Sequence, residues 1–254
     1  MRTRVLFLGA GTAIALASSS ASYADVVDAN GNWVSTRDPG NYEGKHDPRP
    51  LADADIITAV DDSSSMTQLE RTIQYTGLAN AVTDPGFLGR IATGPNGRVG
   101  FMAFTWSSDG KIEIIVPWMI IATADDAAMA SAQFLRAVEI DPSKQFVVRW
   151  TDVALAIGAA AAIGRDAPFA SSHTFINICS NGISNSGTPP RAARDRALTA
   201  DVTISAVLFG TRPMLADYYA RNVIGGSGAF ILPISDAAAM SKLLAKKYWL
   251  DLTS

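Results

Sequence analysis

The sequence is short of several things, and each shortage closes off a class of function. It has one cysteine, Cys179, among 254 residues, so no internal disulfide can form and no Cys/His cluster with zinc spacing exists. Cys179 sits in the mostly apolar run Phe175 to Cys179 and is expected to be buried as a small apolar side chain. There are two histidines, His46 and His173, and neither lies near a nucleophile pattern. A Gly-x-Ser-x-Gly elbow is absent, as is a Gly-Lys-Ser/Thr phosphate loop. Enzymatic chemistry by the commonest routes is therefore disfavoured. The chain also lacks a basic excess, with 21 Lys and Arg against 24 Asp and Glu and a formal net charge of −3. Nucleic acid, held largely through its phosphates by basic patches, is not an expected partner.

What the chain does have begins at its first residues. Arg2 and Arg4, the apolar run Val5 to Leu16 and small residues ending in Ser22, Tyr23 and Ala24 have the layout of a cleavable secretory signal over residues 1–24. That run is too short to span a bilayer comfortably. The expectation is a periplasmic or secreted protein with no membrane insertion after signal cleavage. Reading the same stretch as a dinucleotide-binding loop fails, because Ile14 occupies the position of the third glycine. Loss of Arg2 and Arg4 takes the net charge to about −5. Residues 25–52, with Pro39, Pro48 and Pro50 and few large apolar groups, read as an extended lead-in. Residues 53–254 suit one domain.

Within that domain, short β-rich runs alternate with helical ones. Strand candidates are Asp55 to Val60, Arg98 to Trp106, Lys111 to Trp118, His173 to Cys179, Val202 to Phe209 and Phe230 to Pro233. Helix candidates are Gln68 to Val82, Asp125 to Val138, the alanine-rich Asp152 to Ile163, Arg191 to Ala200, Met214 to Asn222 and Asp236 to Lys247. Asp84, Pro85 and Gly86 read as a stop, and Lys246 and Lys247 as a solvated helix end. Ser107 to Gly110 is so short a connection that the strands it joins must run antiparallel. The expected fold is α/β: Rossmann-like and doubly wound, a mostly parallel central sheet with one antiparallel edge strand and helices on both faces.

The chemically informative stretch is Ile57 to Ser65, where an apolar strand runs directly into a carboxylate and several hydroxyls. In such sheets ligands gather beyond the carboxyl ends of the strands. Asp61, Ser63 and Ser65 stand at alternating positions, and a tight loop can aim their oxygens at one point. Mg²⁺ prefers oxygen ligands in octahedral geometry and commonly keeps several waters. Alternation points Asp62 away from that cradle.

Asp61, Ser63 and Ser65 match the Asp-x-Ser-x-Ser signature of the metal-ion-dependent adhesion site, and here the chain resembles von Willebrand factor A domains. Thr151 stands where that family places a threonine ligand. Ser180, Asn181 and Gly182 are similar to its Ser/Gly-Asp-Gly turn, with Asn181 in the aspartate's place. Local runs such as Gly94-Pro95-Asn96-Gly97-Arg98, Val116-Pro117-Trp118 and Asn222-Val223-Ile224-Gly225-Gly226 are similar to those of a small exported bacterial branch whose function is undetermined.

The resemblance implies a metal site of Asp61, Ser63, Ser65, Thr151 and Asn181. It would hold Mg²⁺, or Mn²⁺ or Ca²⁺, and bind a protein ligand whose acidic side chain completes the metal shell. Asparagine at 181 removes one negative charge, so affinity should fall, and Asn181→Asp should raise it.

Other readings stay open from the residues alone. Asp61, Ser63 and Ser65 could cap the helix that follows, as could Thr151, and Asn181-Gly182 is an ordinary turn pair. A structural subunit without metal fits the Asn181 departure. Metal-assisted phosphoryl transfer with Asp61 as nucleophile would lack its second carboxylate, since Ser63 stands there. Trp106, Trp118 and Trp150 read as packing residues, and Gly225, Gly226 and Gly228 as a tight turn.

Overall fold

The computed structural model of the chain describes residues 48–138, 148–198, 201–210, 212–234 and 237–252. The expected leader, the lead-in to residue 47 and His46 lie outside the described residues, as do residues 199–200 at the end of one expected helix.

Six strands form one sheet: β1 (Asp55–Asp61), β2 (Val99–Trp106), β3 (Glu113–Ile121), β4 (Thr174–Ser180), β5 (Val202–Phe209) and β6 (Ile231–Ile234), in the order β3-β2-β1-β4-β5-β6. Four of the five pairings are parallel, and only β2 with β3 is antiparallel, which puts the short hairpin at the edge. Every residue of β1 and β2 is buried, as expected of central strands covered on both faces. The connections carry helices α1 (Gln68–Val82), α2 (Pro85–Ala92), α3 (Ala124–Arg136), α4 (Val153–Arg165), α5 (Pro190–Ala197), α6 (Pro213–Asn222) and α7 (Ala237–Asp251).

α1 packs against α3 and α7 over one face, and α4 with α5 over the other. The first layer encloses an aromatic-rich core in which Tyr248 packs tilted against Phe87 and edge-on against Phe101, and Phe101 meets Phe134 edge-on. The second depends on small residues. A Cβ at Gly164 of α4 would come 3.1 Å from Thr174 and 3.2 Å from Ile57, so the alanine- and glycine-rich helix lies almost directly on β1 and β4.

Three local expectations differ from what is observed. Asp84, Pro85 and Gly86 do end α1, but they also start α2. Asp84 accepts hydrogen bonds from the backbone N–H of Gly86 (2.8 Å) and Phe87 (3.2 Å), and Pro85 occupies the first turn, where its missing N–H costs nothing. Lys247 is not solvated. α7 continues four residues further, and its Nζ donates to both oxygens of the buried Asp251 (2.8 and 2.6 Å). Lys246 alone is exposed. Trp150, read as packing, is 56% exposed, whereas Trp106 is fully buried and Trp118 packs edge-on against Phe169.

Candidate metal centre

The order of the strands reverses between β1 and β4, and the crevice at their carboxyl ends is the switch point where ligands of such sheets bind. Asp61 is the last residue of β1, and Ser180 the last of β4. The two meet across the crevice: Ser180 Oγ donates to Asp61 Oδ2 at 2.6 Å, and the backbone N–H of Ser63 donates to Asp61 Oδ1 at 2.8 Å. Ser63 Oγ lies 3.0 Å from Ser65 Oγ, which in turn donates to Asn181 Oδ1 at 2.9 Å. Asp61, Ser63, Ser65 and Asn181 are thus linked through one chain of hydrogen bonds.

Thr151 arrives from the other side. Its backbone is tied to the loop after β4, its N–H donating to Asn185 Oδ1 at 2.8 Å and its carbonyl accepting from Asn185 N at 2.9 Å. A Cβ at Gly182 would lie 3.5 Å from Thr151 Oγ1, so that hydroxyl faces the residue next to Asn181. All five residues named from the sequence therefore gather at one crevice, four in contact and Thr151 beside the fourth.

None of them is needed to cap a helix. α1 is capped by Thr67, whose side chain accepts from the backbone N–H of Glu70 while the Glu70 carboxylate accepts from that of Thr67. α4 is capped by Asp152, which accepts from Leu155 N at 3.0 Å. The capping alternative for Asp61, Ser63, Ser65 and Thr151 thus loses its physical basis.

Asp61 and Asp62 differ sharply in environment. Asp62 turns away and forms ion pairs with Arg71 and with Arg149 Nη2 (3.3 Å), and Arg149 Nε also donates to its carbonyl at 2.9 Å. Asp61 is fully buried and receives only neutral donors. Burial pushes its carboxyl above the ordinary value, against the hydrogen bonds of Ser180 and Ser63, and the Asp62 charge adds to the rise.

The donor set suits a hard divalent cation. Ser63 Oγ, Ser65 Oγ and Asn181 Oδ1 stand in turn at hydrogen-bond distances of 3.0 and 2.9 Å from one another, a spacing that an octahedral ion, with neighbouring ligands about 3.0 Å apart, would also accommodate. The set is poor in charge: among the described residues no group of three or more His, Cys, Asp or Glu is placed to hold a metal.

Glu70 and Arg212 escaped sequence reasoning. Arg212 Nη2 donates to the Asn181 carbonyl at 2.6 Å, and Glu70 Oε2 lies 3.4 Å from Asn181 Nδ2. Arg212 gives no local signal, whereas the Thr67-x-x-Glu70 spacing was readable as a capping box.

Residues 51–254 match the family described as "Protein of unknown function (DUF1194)". The chain belongs to that family. No curated protein sequence matches it. Among solved structures, the zinc-occupied form of proximal thread matrix protein 1 from the mussel byssus, described as having a MIDAS motif, aligns with a TM-score of 0.52 and 17% identity over 81% of this chain and 49% of that one. A von Willebrand factor type A protein from Catenulispora acidiphila aligns with a TM-score of 0.52 and 15% identity over 78% and 42% of the two chains. The pilus adhesin SpaC from Lactobacillus rhamnosus GG aligns at 0.54 and 13%, over 82% and 31%. The DUF1194 chain spans about half the length of the mussel protein, and at these identities the likeness establishes the von Willebrand factor A fold.

Proposed function

We propose that this chain is an exported recognition module that binds a partner protein through a Mg²⁺-type ion held at Asp61, Ser63, Ser65, Thr151 and Asn181. The observation that carries the reading is a buried carboxylate at the switch point, with no cationic partner among the described residues, joined by hydrogen bonds to a run of hydroxyl and amide oxygens. The ion would supply a Lewis-acidic point for an incoming carboxylate, and the five residues would hold it there. Zinc in the mussel protein's MIDAS motif supports a divalent ion at this place in the fold. The branch resemblance and the basic, then apolar, N-terminus support export to the periplasm or medium.

A protein rather than a small ligand is favoured by the rim. Leu69, Val148, Trp150, Ile183 and Met214 are between 51% and 83% exposed. Trp150 and Ile183 lie within two residues of Thr151 and Asn181, Leu69 and Met214 within two of Glu70 and Arg212, which bond to Asn181, and Val148 adjoins Arg149, which bonds to the loop between Ser63 and Ser65. The segment Val148 to Trp150 is held to the cradle loop by Ser64 N–H donating to the Arg149 carbonyl (2.8 Å) and Arg149 N–H donating to Ser64 Oγ (2.9 Å). Large apolar groups around a polar centre are the makings of a protein interface, and Trp in particular anchors such contacts.

Asn181, in the place of an aspartate, favours a second reading, a scaffold of this fold that works without metal, as does the lack of a group of three or more His, Cys, Asp or Glu among the described residues. Phosphoryl transfer finds less support, because the neighbouring carboxylate, Asp62, is committed to Arg71 and Arg149. Calorimetric titration of chelator-treated protein with Mg²⁺ and Mn²⁺ tests the reading. One bound ion, lost in Asp61→Ala with the fold intact, is expected. Unchanged affinity in that variant would sink the assignment, and no binding at millimolar ion would favour the scaffold.

A further inference from the structure

Glu70 is accounted for so far as half of a capping box, accepting from Thr67 N at 2.9 Å and Thr67 Oγ1 at 2.8 Å. The same oxygen, Oε2, also accepts from Asn181 Nδ2 at 3.4 Å, and that amide nitrogen donates in addition to the Ser65 carbonyl at 3.1 Å. An asparagine side chain has two N–H donors on one side and one acceptor oxygen on the other. Here both donors face acceptors, and Oδ1 is left facing the hydroxyl of Ser65. Turned over, the amide would aim its oxygen at a carboxylate and a carbonyl, so Glu70 and Ser65 between them fix which way it points.

We propose that Glu70 and Asn181 act as a matched pair: Glu70 orients the Asn181 amide so that its oxygen faces the cradle, and supplies from the edge of the site the negative charge that position 181 lacks. The inference rests on the reading that the cradle holds a divalent cation. It explains why asparagine suits position 181 in this chain. An aspartate there is acceptor-only and would direct an oxygen at both Glu70 and the Ser65 carbonyl, where like charges repel. The charge is carried at 70, and a neutral amide at 181 completes it. Asn181→Asp alone is therefore not a simple gain of a ligand, and the increase in affinity that the family resemblance implies is cancelled in whole or part while Glu70 remains.

Glutamine also serves a capping box, so Glu70→Gln removes the charge and keeps the cap, which separates the two roles of the residue. The experiment is calorimetric titration with Mn²⁺ of the full chain as wild type, Glu70→Gln, Asn181→Asp and the double variant, with melting temperatures measured in chelator. Glu70→Gln is expected to weaken Mn²⁺ binding by about tenfold or more while the chelated melting temperature stays within a degree or two. Asn181→Asp is expected to gain little. The double variant, with the charge moved from 70 to 181, is expected to bind at least as tightly as wild type, a non-additivity that marks direct coupling. Equal affinities of wild type and Glu70→Gln, or strictly additive effects in the cycle, overturn the pairing and leave the metal site standing. A wild type that binds no Mn²⁺ overturns both.

Discussion

The two ends of the central sheet treat buried carboxylates in opposite ways. At the amino end, Asp251 of α7 is buried beside His173 and Asp53, and Lys247 one turn earlier donates to both its oxygens. Asp55, the first residue of β1, has no such cation in hydrogen-bond contact. One oxygen accepts from Ser171 Oγ at 2.8 Å, the other is buried without a partner, and burial pushes the carboxyl up to about 6. At the carboxyl end, Asp61 is as deeply buried, yet its donors Ser180 and Ser63 belong to a hydrogen-bonded network that continues through Ser65 to Asn181. The amino end settles its charges internally, by an ion pair at Asp251 and, below about pH 6, by a proton on Asp55. The carboxyl end gathers hydroxyl and amide oxygens, which on the proposed function a cation from outside would use. Burial of a carboxylate alone does not mark a site; convergence of further oxygen ligands does.

The largest expected effect tests the internal settlement. Lys247→Met removes the cation that donates to both oxygens of the buried Asp251, and removing one partner of a buried pair costs about 3–5 kcal/mol. Adding Asp251→Leu should recover most of that loss, because an apolar pair of similar volume avoids both desolvation costs. Urea unfolding of the single and double variants checks it. A single variant as stable as wild type would mean that the pair contributes nothing and that the contrast between the two ends is false.

Asp55 provides a smaller and pH-dependent test. Its carboxyl is raised from 3.8 to about 6 in the folded chain, chiefly by desolvation, with Ser171 and Arg49 opposing the rise. The folded state therefore holds this proton more tightly than the unfolded chain. The contribution to stability is full below about pH 4 and is lost as pH rises through about 6, a change of about 2–3 kcal/mol. Asp55→Asn has no proton to lose there, so its stability relative to wild type should climb across that window and level off above it. A stability difference that stays flat from pH 4 to 7 would show that Asp55 is solvated or paired.

Legibility in the sequence followed the same division. β1 and the cradle were readable because one apolar run passes straight into Asp61, Ser63 and Ser65, so strand, loop and proposed ligands are contiguous. The hairpin at the sheet edge followed from a connection too short for a crossover, and α1 ends at Val82 as its pattern indicates. α2 was hidden because Asp84, Pro85 and Gly86 can end one helix and begin another, and residue type does not decide between the two. Lys247 was misread because its burial depends on α7 reaching Asp251 and on which side of that helix meets the sheet, neither of which a pair of lysines reveals. The pairing of Asp62 with Arg149, 87 residues away, and of Glu70 with Asn181, 111 away, arises only when β1, β4 and their loops come together.

The smallest expected effect on the chelated protein, and the sharpest contrast with Lys247, belongs to Asp61. Asparagine at 61 keeps an oxygen for the Ser63 N–H, and the Ser180 hydroxyl can rotate to accept from the new amide, since a hydroxyl both donates and accepts. The substitution also removes a buried charge that no cationic side chain offsets. Stability in chelator should therefore change by about 1 kcal/mol or less, in either direction. With Mn²⁺ added, wild type should melt higher as the ion binds the folded state alone, rising further with each increase in ion concentration, and Asp61→Asn should not respond. Thermal melts with and without Mn²⁺ measure both quantities. If Asp61→Asn instead lost as much stability in chelator as Lys247→Met, Asp61 would be a structural carboxylate like Asp251, and the carboxyl end of the sheet would need no cation to explain it.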